Sequence, residues 1–329
     1  MKFFSQSLFL LFLILSFTTS CSAEDDEIYN YNEVRTDTIP IEGKRPLNIL
    51  IIGDSFSRDA FSYVPSVLED VDSSIIVDME ILYIGGRALN YHYDYLINNI
   101  TNFILDKYVS ETGYWKSSSV LSGIDVIRSK TWDIVILQEG SNTTRSYVKT
   151  QPHIKNLSEY IHSIQDDVKI AFMLSPAKPD GSSALGSYTS DEVWYLNVTT
   201  TRQLLENGDV DYMIPCGTSI QNARQTSLDK YGDFGHLSYD GNHLQEGLPC
   251  LIEAYTAAQT LFDIFEVDKT IDDCQLEVTQ SWVIKKGIPG RHGKVIEGDK
   301  NDYNLCKKSA LLAVDNPYVI STPSSVVNY

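Results

Sequence analysis

Hydrophobic residues in this chain follow two rhythms. Short β-rich runs occupy residues 47–53, 75–84, 133–138, 168–174 and 210–215. Longer amphipathic stretches lie between them, at 59–71, 152–166 and 190–206. A further stretch runs from about 246 to 265, where Leu248, Leu251, Ile252, Tyr255, Ala258, Gln259 and Phe262 recur at mostly helical spacing. Strand runs alternating with helical runs predict a parallel sheet with crossover helices.

Five such strands suffice for a flavodoxin-like α/β fold, a three-layer α/β/α arrangement around a five-stranded parallel sheet. The link 87–131 is long, rich in Asn, Tyr and Ser and weakly periodic, the pattern of a binding insertion rather than of a second domain. Residues 268–329 could form a module of their own, but the apolar side of 305–314 reads as a closing helix on the main domain. One domain from 45 to 329 is therefore expected.

The first twenty residues stand apart. Met1-Lys2 precedes an apolar core at 8–15, too short to span roughly 30 Å of hydrocarbon as a helix, and this reads as a signal peptide. Thr18-Thr19-Ser20-Cys21 then resembles a lipoprotein cleavage site with Cys21 as the lipidated residue; the competing reading is an ordinary cut near Ala23. The acidic run 24–27 behind it resembles the surface-export tether of Bacteroidetes lipoproteins, and 21–44 reads as a tether. The expectation is an exported outer-membrane lipoprotein, surface-exposed or periplasmic, that meets the membrane only through its lipid.

Charge narrows the partners. The 26 Lys and Arg against 44 Asp and Glu leave a net charge of −18, which disfavours nucleic acid, since phosphate backbones are held chiefly by clustered basic residues. Beyond Cys21 the cysteines are Cys216, Cys250, Cys274 and Cys306. An exported protein can oxidise them; Cys274 with Cys306 is the pairing expected, with free buried thiols as the alternative. No Cys or His spacing suits a structural zinc site, and nothing calls for a cofactor.

Two short segments carry candidate chemistry. The run 47–52 ends at Gly53-Asp54-Ser55, which places Ser55 at the carboxyl end of the first strand and near a helix start, where open α/β sheets put their reactive crevice. A plain strand-to-helix turn with an N-cap would look the same. Far along the chain, Asp240-Gly241-Asn242-His243 sets a carboxylate three residues before an imidazole. A serine hydroxyl needs a base to take its proton, and that base needs an acid to orient it; this one turn can supply both. His236 is the rival base.

These segments, with two others, resemble the blocks of the SGNH (GDSL-type) hydrolases, in a bacterial branch whose domain has no assigned function. Gly53-Asp54-Ser55 is similar to the nucleophile block, although Phe56 stands where GDSL members have Leu. Ile84-Gly85-Gly86 is similar to the block that gives an oxyanion-hole amide. Leu137-Gln138-Glu139-Gly140-Ser141-Asn142 resembles the block whose Asn completes that hole, with the usual order altered, and Asp240 to His243 resembles the closing block. Residues 214–224 also resemble a segment of that branch. The resemblance implies Ser55 as nucleophile, His243 as general base and then acid, and Asp240 as its orienter. The oxyanion hole would comprise the Ser55 amide, Gly86 or Gly85, and Asn142, with Gln138 and Ser141 as alternatives to Asn142.

Gly85, Gln138 and His92 are further candidates for substrate contact. Cys216, at the end of the fifth strand run, has no dedicated carboxylate–histidine pair and reads as structural. Asp209 and Asp211 read as solvated strand-edge charges. The expected activity is hydrolysis of a small, acetyl-like ester on a glycan, with Tyr91, Tyr93, Tyr95, Tyr108, Tyr114 and Trp115 of the insertion as faces on which sugars can stack or as packing residues. A lipase or thioesterase with a longer acyl substrate, and a catalytically silent glycan-binding lipoprotein, are the alternatives.

Overall fold

The computed structural model describes residues 46–120, 122–291 and 294–324. The predicted leader, Cys21 and the acidic tether lie outside the described residues. The strands are β1 (Leu47–Gly53), β2 (Val77–Tyr83), β3 (Phe103–Val109), β4 (Tyr114–Val120), β5 (Ile134–Leu137), β6 (Lys169–Met173) and β7 (Tyr212–Ile214). They form one sheet in the order β4-β3-β2-β1-β5-β6-β7. The five expected strands are all present and mutually parallel, with the second and first exchanged in the flavodoxin-like manner.

The sheet nevertheless has seven strands rather than five. β3 and β4 form an antiparallel hairpin added to the β2 edge, built from the segment expected to be a binding insertion. β4 reads Tyr-Trp-Lys-Ser-Ser-Ser-Val and has little of the β-branched character that marks a strand. Its polarity suits an edge that must not pair with another chain.

The helices are α1 (Ser55–Phe61), α2 (Val64–Val71), α3 (Leu89–Ile97), α4 (Gly123–Arg128), α5 (Tyr147–Thr150), α6 (His153–His162), α7 (Ser190–Glu206), α8 (Cys216–Arg224), α9 (Leu248–Ile264), α10 (Gln280–Lys286) and α11 (Lys300–Asp315). β1 feeds both layers. Ile49 and Ile51 enter a core with α1, α2, α8, α9 and α11, while Leu50 and Ile52 enter another with α3, α4 and α6. The predicted helix 190–206 coincides with α7 because a capping box, Thr189 with Glu192, fixes its start. Among the described residues no helix is long and apolar enough to cross a membrane.

Two expectations about side chains change. Most of the insertion's aromatic residues pack the hairpin down rather than offering faces to a sugar. Tyr108 and Trp115 are buried; Tyr108 donates to Glu69 at 2.7 Å and Trp115 to the Ser62 carbonyl at 2.9 Å. Tyr95 meets Phe103 edge-on, Tyr93 meets Tyr160, and the Lys286 ammonium covers Tyr114. Cys274 and Cys306 do not pair: Cys216, Cys250, Cys274 and Cys306 are all free, buried thiols. Burial pushes the Cys216 thiol well up, which suits a packing residue.

Candidate active site

β1 ends at Gly53, where no side chain fits: a Cβ would lie 2.2 Å from Ser57 Oγ and 2.5 Å from Gln138 Oε1. Asp54 then caps α1, its carboxylate accepting from Phe56 N at 3.1 Å. Burial pushes the Asp54 carboxyl up to about 6 against this bond. Ser55 is thus the first helical residue, a position whose amide has no partner within the helix.

The structure brings Ser55, His243 and Asp240 together. Ser55 Oγ lies 2.8 Å from His243 Nε2, and His243 Nδ1 lies 2.9 Å from Asp240 Oδ2. The other Asp240 oxygen accepts from the backbone N–H groups of Asn242 at 2.8 Å and His243 at 2.7 Å. A carboxylate held this way accepts the Nδ1 proton and leaves Nε2 to accept from Ser55. Burial raises the Asp240 pKa, but the hydrogen bonds from the His243 ring and the two backbone amides more than reverse this, leaving the carboxyl below its ordinary value. The imidazole stacks between Phe56, 5.6 Å away between centroids, and Tyr239, 5.8 Å away. Gly241, at φ 78°, permits the tight turn that returns His243 over Asp240.

The candidate oxyanion donors divide. Gly85 and Gly86 form an exposed turn after β2, held beside Gly53 by the Ile84 N–H on the Gly53 carbonyl at 3.2 Å. Asn142 is exposed in the turn after β5. That turn lies against the start of α3, since Gly140 abuts Ala88 and Glu139 accepts from Leu89 N at 3.0 Å.

Gln138 and His92, expected at the substrate, lie beneath the site instead; both are fully buried. Gln138 Oε1 accepts from Asp54 N at 2.8 Å and Ser57 Oγ at 2.9 Å, and its amide donates to the Glu139 carbonyl. His92 Nε2 lies 3.0 Å from the Gly53 carbonyl and Nδ1 3.2 Å from that of Ala88. Each braces the backbone that presents Ser55, and burial lowers the His92 pKa.

His236 does have a carboxylate, Asp229, at 2.9 Å. It comes from seven residues upstream through the 3-10 turn Ser227–Lys230, a spacing that no short motif reveals. Asp209 is buried and accepts from Tyr147 and Gln151, so it is not a solvated edge charge; Asp211 is exposed beside the edge strand β7, as expected, and accepts from Ile170 N. Among the described residues no three His, Cys, Asp or Glu side chains converge to hold a metal.

Sequence reasoning missed a buried ion cluster behind the site. Asp59, one turn after Ser55 on α1, accepts from Leu244 N at 3.1 Å, so it ties α1 to the residue following His243. Arg291 donates to the other Asp59 oxygen and to Glu246 at 2.7 Å, and Tyr63 donates to Glu246 at 2.6 Å. Arg291→Met strands two buried carboxylates, so it is expected to destabilise the protein by about 3–5 kcal/mol. Denaturant unfolding checks this; a loss under about 1 kcal/mol would mean that the cluster is neutralised in another way.

A cavity of about 530 Å³ opens beside Gly85, lined among others by Tyr83, Arg87, Asn102, Phe103 and Ser119.

The family described as a domain of unknown function, DUF4886, matches residues 48–281. A DUF4886 family protein from Bacteroides uniformis ATCC 8492 is similar at 18% identity and a TM-score of 0.71, over 84% of this chain and 98% of that one. A candidate SGNH hydrolase from Slackia heliotrinireducens shares 14% identity at a TM-score of 0.45, over 66% of this chain and 100% of its own. A candidate GDSL-like lipase from Parabacteroides merdae ATCC 43184 shares 12% identity at a TM-score of 0.44, over 67% and 98%. No curated protein matches the sequence at a significant level.

Proposed function

The chain belongs to the DUF4886 family, and from the Ser55–His243–Asp240 line within it we propose a serine esterase of the SGNH type that removes a small acyl group from a carbohydrate. The observation that carries this reading is the unbroken relay of 2.8 Å from Ser55 to His243 and 2.9 Å from His243 to Asp240. Ser55 Oγ attacks the ester carbonyl carbon while its proton passes to His243 Nε2, and Asp240 stabilises the imidazolium. The negative oxygen is received by the amides of Ser55 and of Gly85 or Gly86, with Asn142 as the side-chain donor. The bond to the alcohol breaks as His243 returns the proton to the leaving oxygen. Water then attacks the acyl-enzyme, giving its proton to His243, and Ser55 is regenerated with release of the carboxylic acid.

The cavity beside Gly85 is lined by the polar residues Asn102 and Ser119 together with the aromatic residues Tyr83 and Phe103. Hydroxyl and amide partners set against aromatic walls suit a sugar alcohol better than an alkyl chain. The test is covalent and selective: a fluorophosphonate probe is expected to add to Ser55 alone, and an activated acetate to be cleaved faster than the octanoate. Labelling elsewhere, or none, overturns the reading, and preference for octanoate redirects it to a lipase.

A further inference from the structure

Lys178, in the loop after β6, is 3% exposed. Its ammonium donates to Asn242 Oδ1 and lies 3.9 Å from the centre of the Phe56 ring. Asp54, Asp59 and Asp240 act on it only through space, and no carboxylate pairs with it directly among the described residues. Both of its contacts border the acid–base pair. Phe56 follows Ser55 and stacks on the imidazole, and the Asn242 amide nitrogen lies 3.2 Å from His243 Nδ1 and 3.1 Å from Nε2.

A buried ammonium without a carboxylate is costly, and an apolar side chain of similar length would fill the same space without that cost. The fold therefore has no need of the charge. We propose that Lys178 is a positioning residue for the esterase reaction: by anchoring the Asn242 amide and the Phe56 ring beside His243, its ammonium holds the imidazole in line with Ser55. This inference rests on the esterase reading given above.

Burial brings the Lys178 pKa down to about 8, opposed by Asp54 and Asp59 of the β1–α1 segment and by Asp240, and aided by Arg145 from the loop after β5. Because the folded value lies below the ordinary one, the folded state releases this proton before the unfolded chain does. From about pH 8 upward the burial cost is relieved and stability rises, while the anchor weakens and turnover falls. Opposite trends of stability and rate with pH are the signature.

The test uses the full chain and two variants, Lys178→Met and Lys178→Arg. Each is measured for kcat and KM on an activated acetate, for fluorophosphonate labelling rate, and for thermal midpoint from pH 6 to 10. Lys178→Met is expected to lose roughly ten- to a hundredfold in kcat, as a small misplacement of a reacting group does, with KM nearly unchanged. Its midpoint should equal or exceed that of the wild type, and the alkaline fall should vanish. Lys178→Arg keeps a permanent charge, so it should retain more activity than the Met variant and also lack the alkaline fall. Asn242→Ala should reproduce the loss, and combining it with Lys178→Met should add little. Wild-type kcat in Lys178→Met, or a rate loss that merely tracks a lowered midpoint, overturns the proposal while leaving the esterase reading intact. A wild-type chain that takes no label at Ser55 overturns both.

Discussion

Ser55→Ala is expected to reduce kcat on an activated acetate by about a millionfold, the scale at which loss of a triad nucleophile is felt. Among the described residues the hydroxyl contributes a single side-chain hydrogen bond, the one to His243, and Asp54 rather than Ser55 caps α1. Stability should therefore change by no more than about 0.5 kcal/mol, so the lost rate cannot be ascribed to unfolding. Steady-state kinetics and a melting curve on the same sample check both halves. Retention of more than a small fraction of the wild-type rate would mean that another group attacks the ester.

The second large effect belongs to Asp240. Asp240→Asn is expected to lower kcat by roughly 10⁴-fold. The asparagine carbonyl can still accept from the N–H groups of Asn242 and His243, so the turn survives. Its amide, however, presents a donor to Nδ1, drives the ring proton to Nε2 and removes the acceptor for the Ser55 hydroxyl. Because three hydrogen bonds hold the Asp240 pKa below its ordinary value, the wild type should keep this carboxylate charged as pH falls, down to below the usual carboxylate range. NMR of the ring nitrogens would report the tautomer directly; an unchanged tautomer together with an unchanged rate would remove Asp240 from the mechanism.

What could be read from the sequence was whatever chemistry is local. Ser55 stands at the end of an apolar run, and Asp240 and His243 share one turn, so neighbours along the chain reveal their setting. Gln138 and His92 show the limit. A polar side chain beside a strand end can face substrate or brace the backbone, and in both cases the letters are the same. Only the carbonyls and amides it meets decide, and two of these, the Gly53 carbonyl and the Asp54 amide, are distant in sequence. β4 escaped notice because Lys116 and three serines suit an edge strand without alternating in hydrophobicity. Asp59 and Arg291 are separated by 232 positions, so no spacing rule connects them. Lys178 resembled any loop lysine until its burial placed it against Asn242.

The position of Arg291 has a consequence for where this molecule can be divided. The family match ends at residue 281, yet the guanidinium that neutralises Asp59 and Glu246 lies beyond that boundary, and α11 completes the same core as α9. Homologous recombination or protein dissection at 281 would detach the counter-ion from the carboxylates it serves. A fragment that keeps Ser55 and His243 in register should therefore extend at least to residue 291, and to 315 if α11 is to close the core.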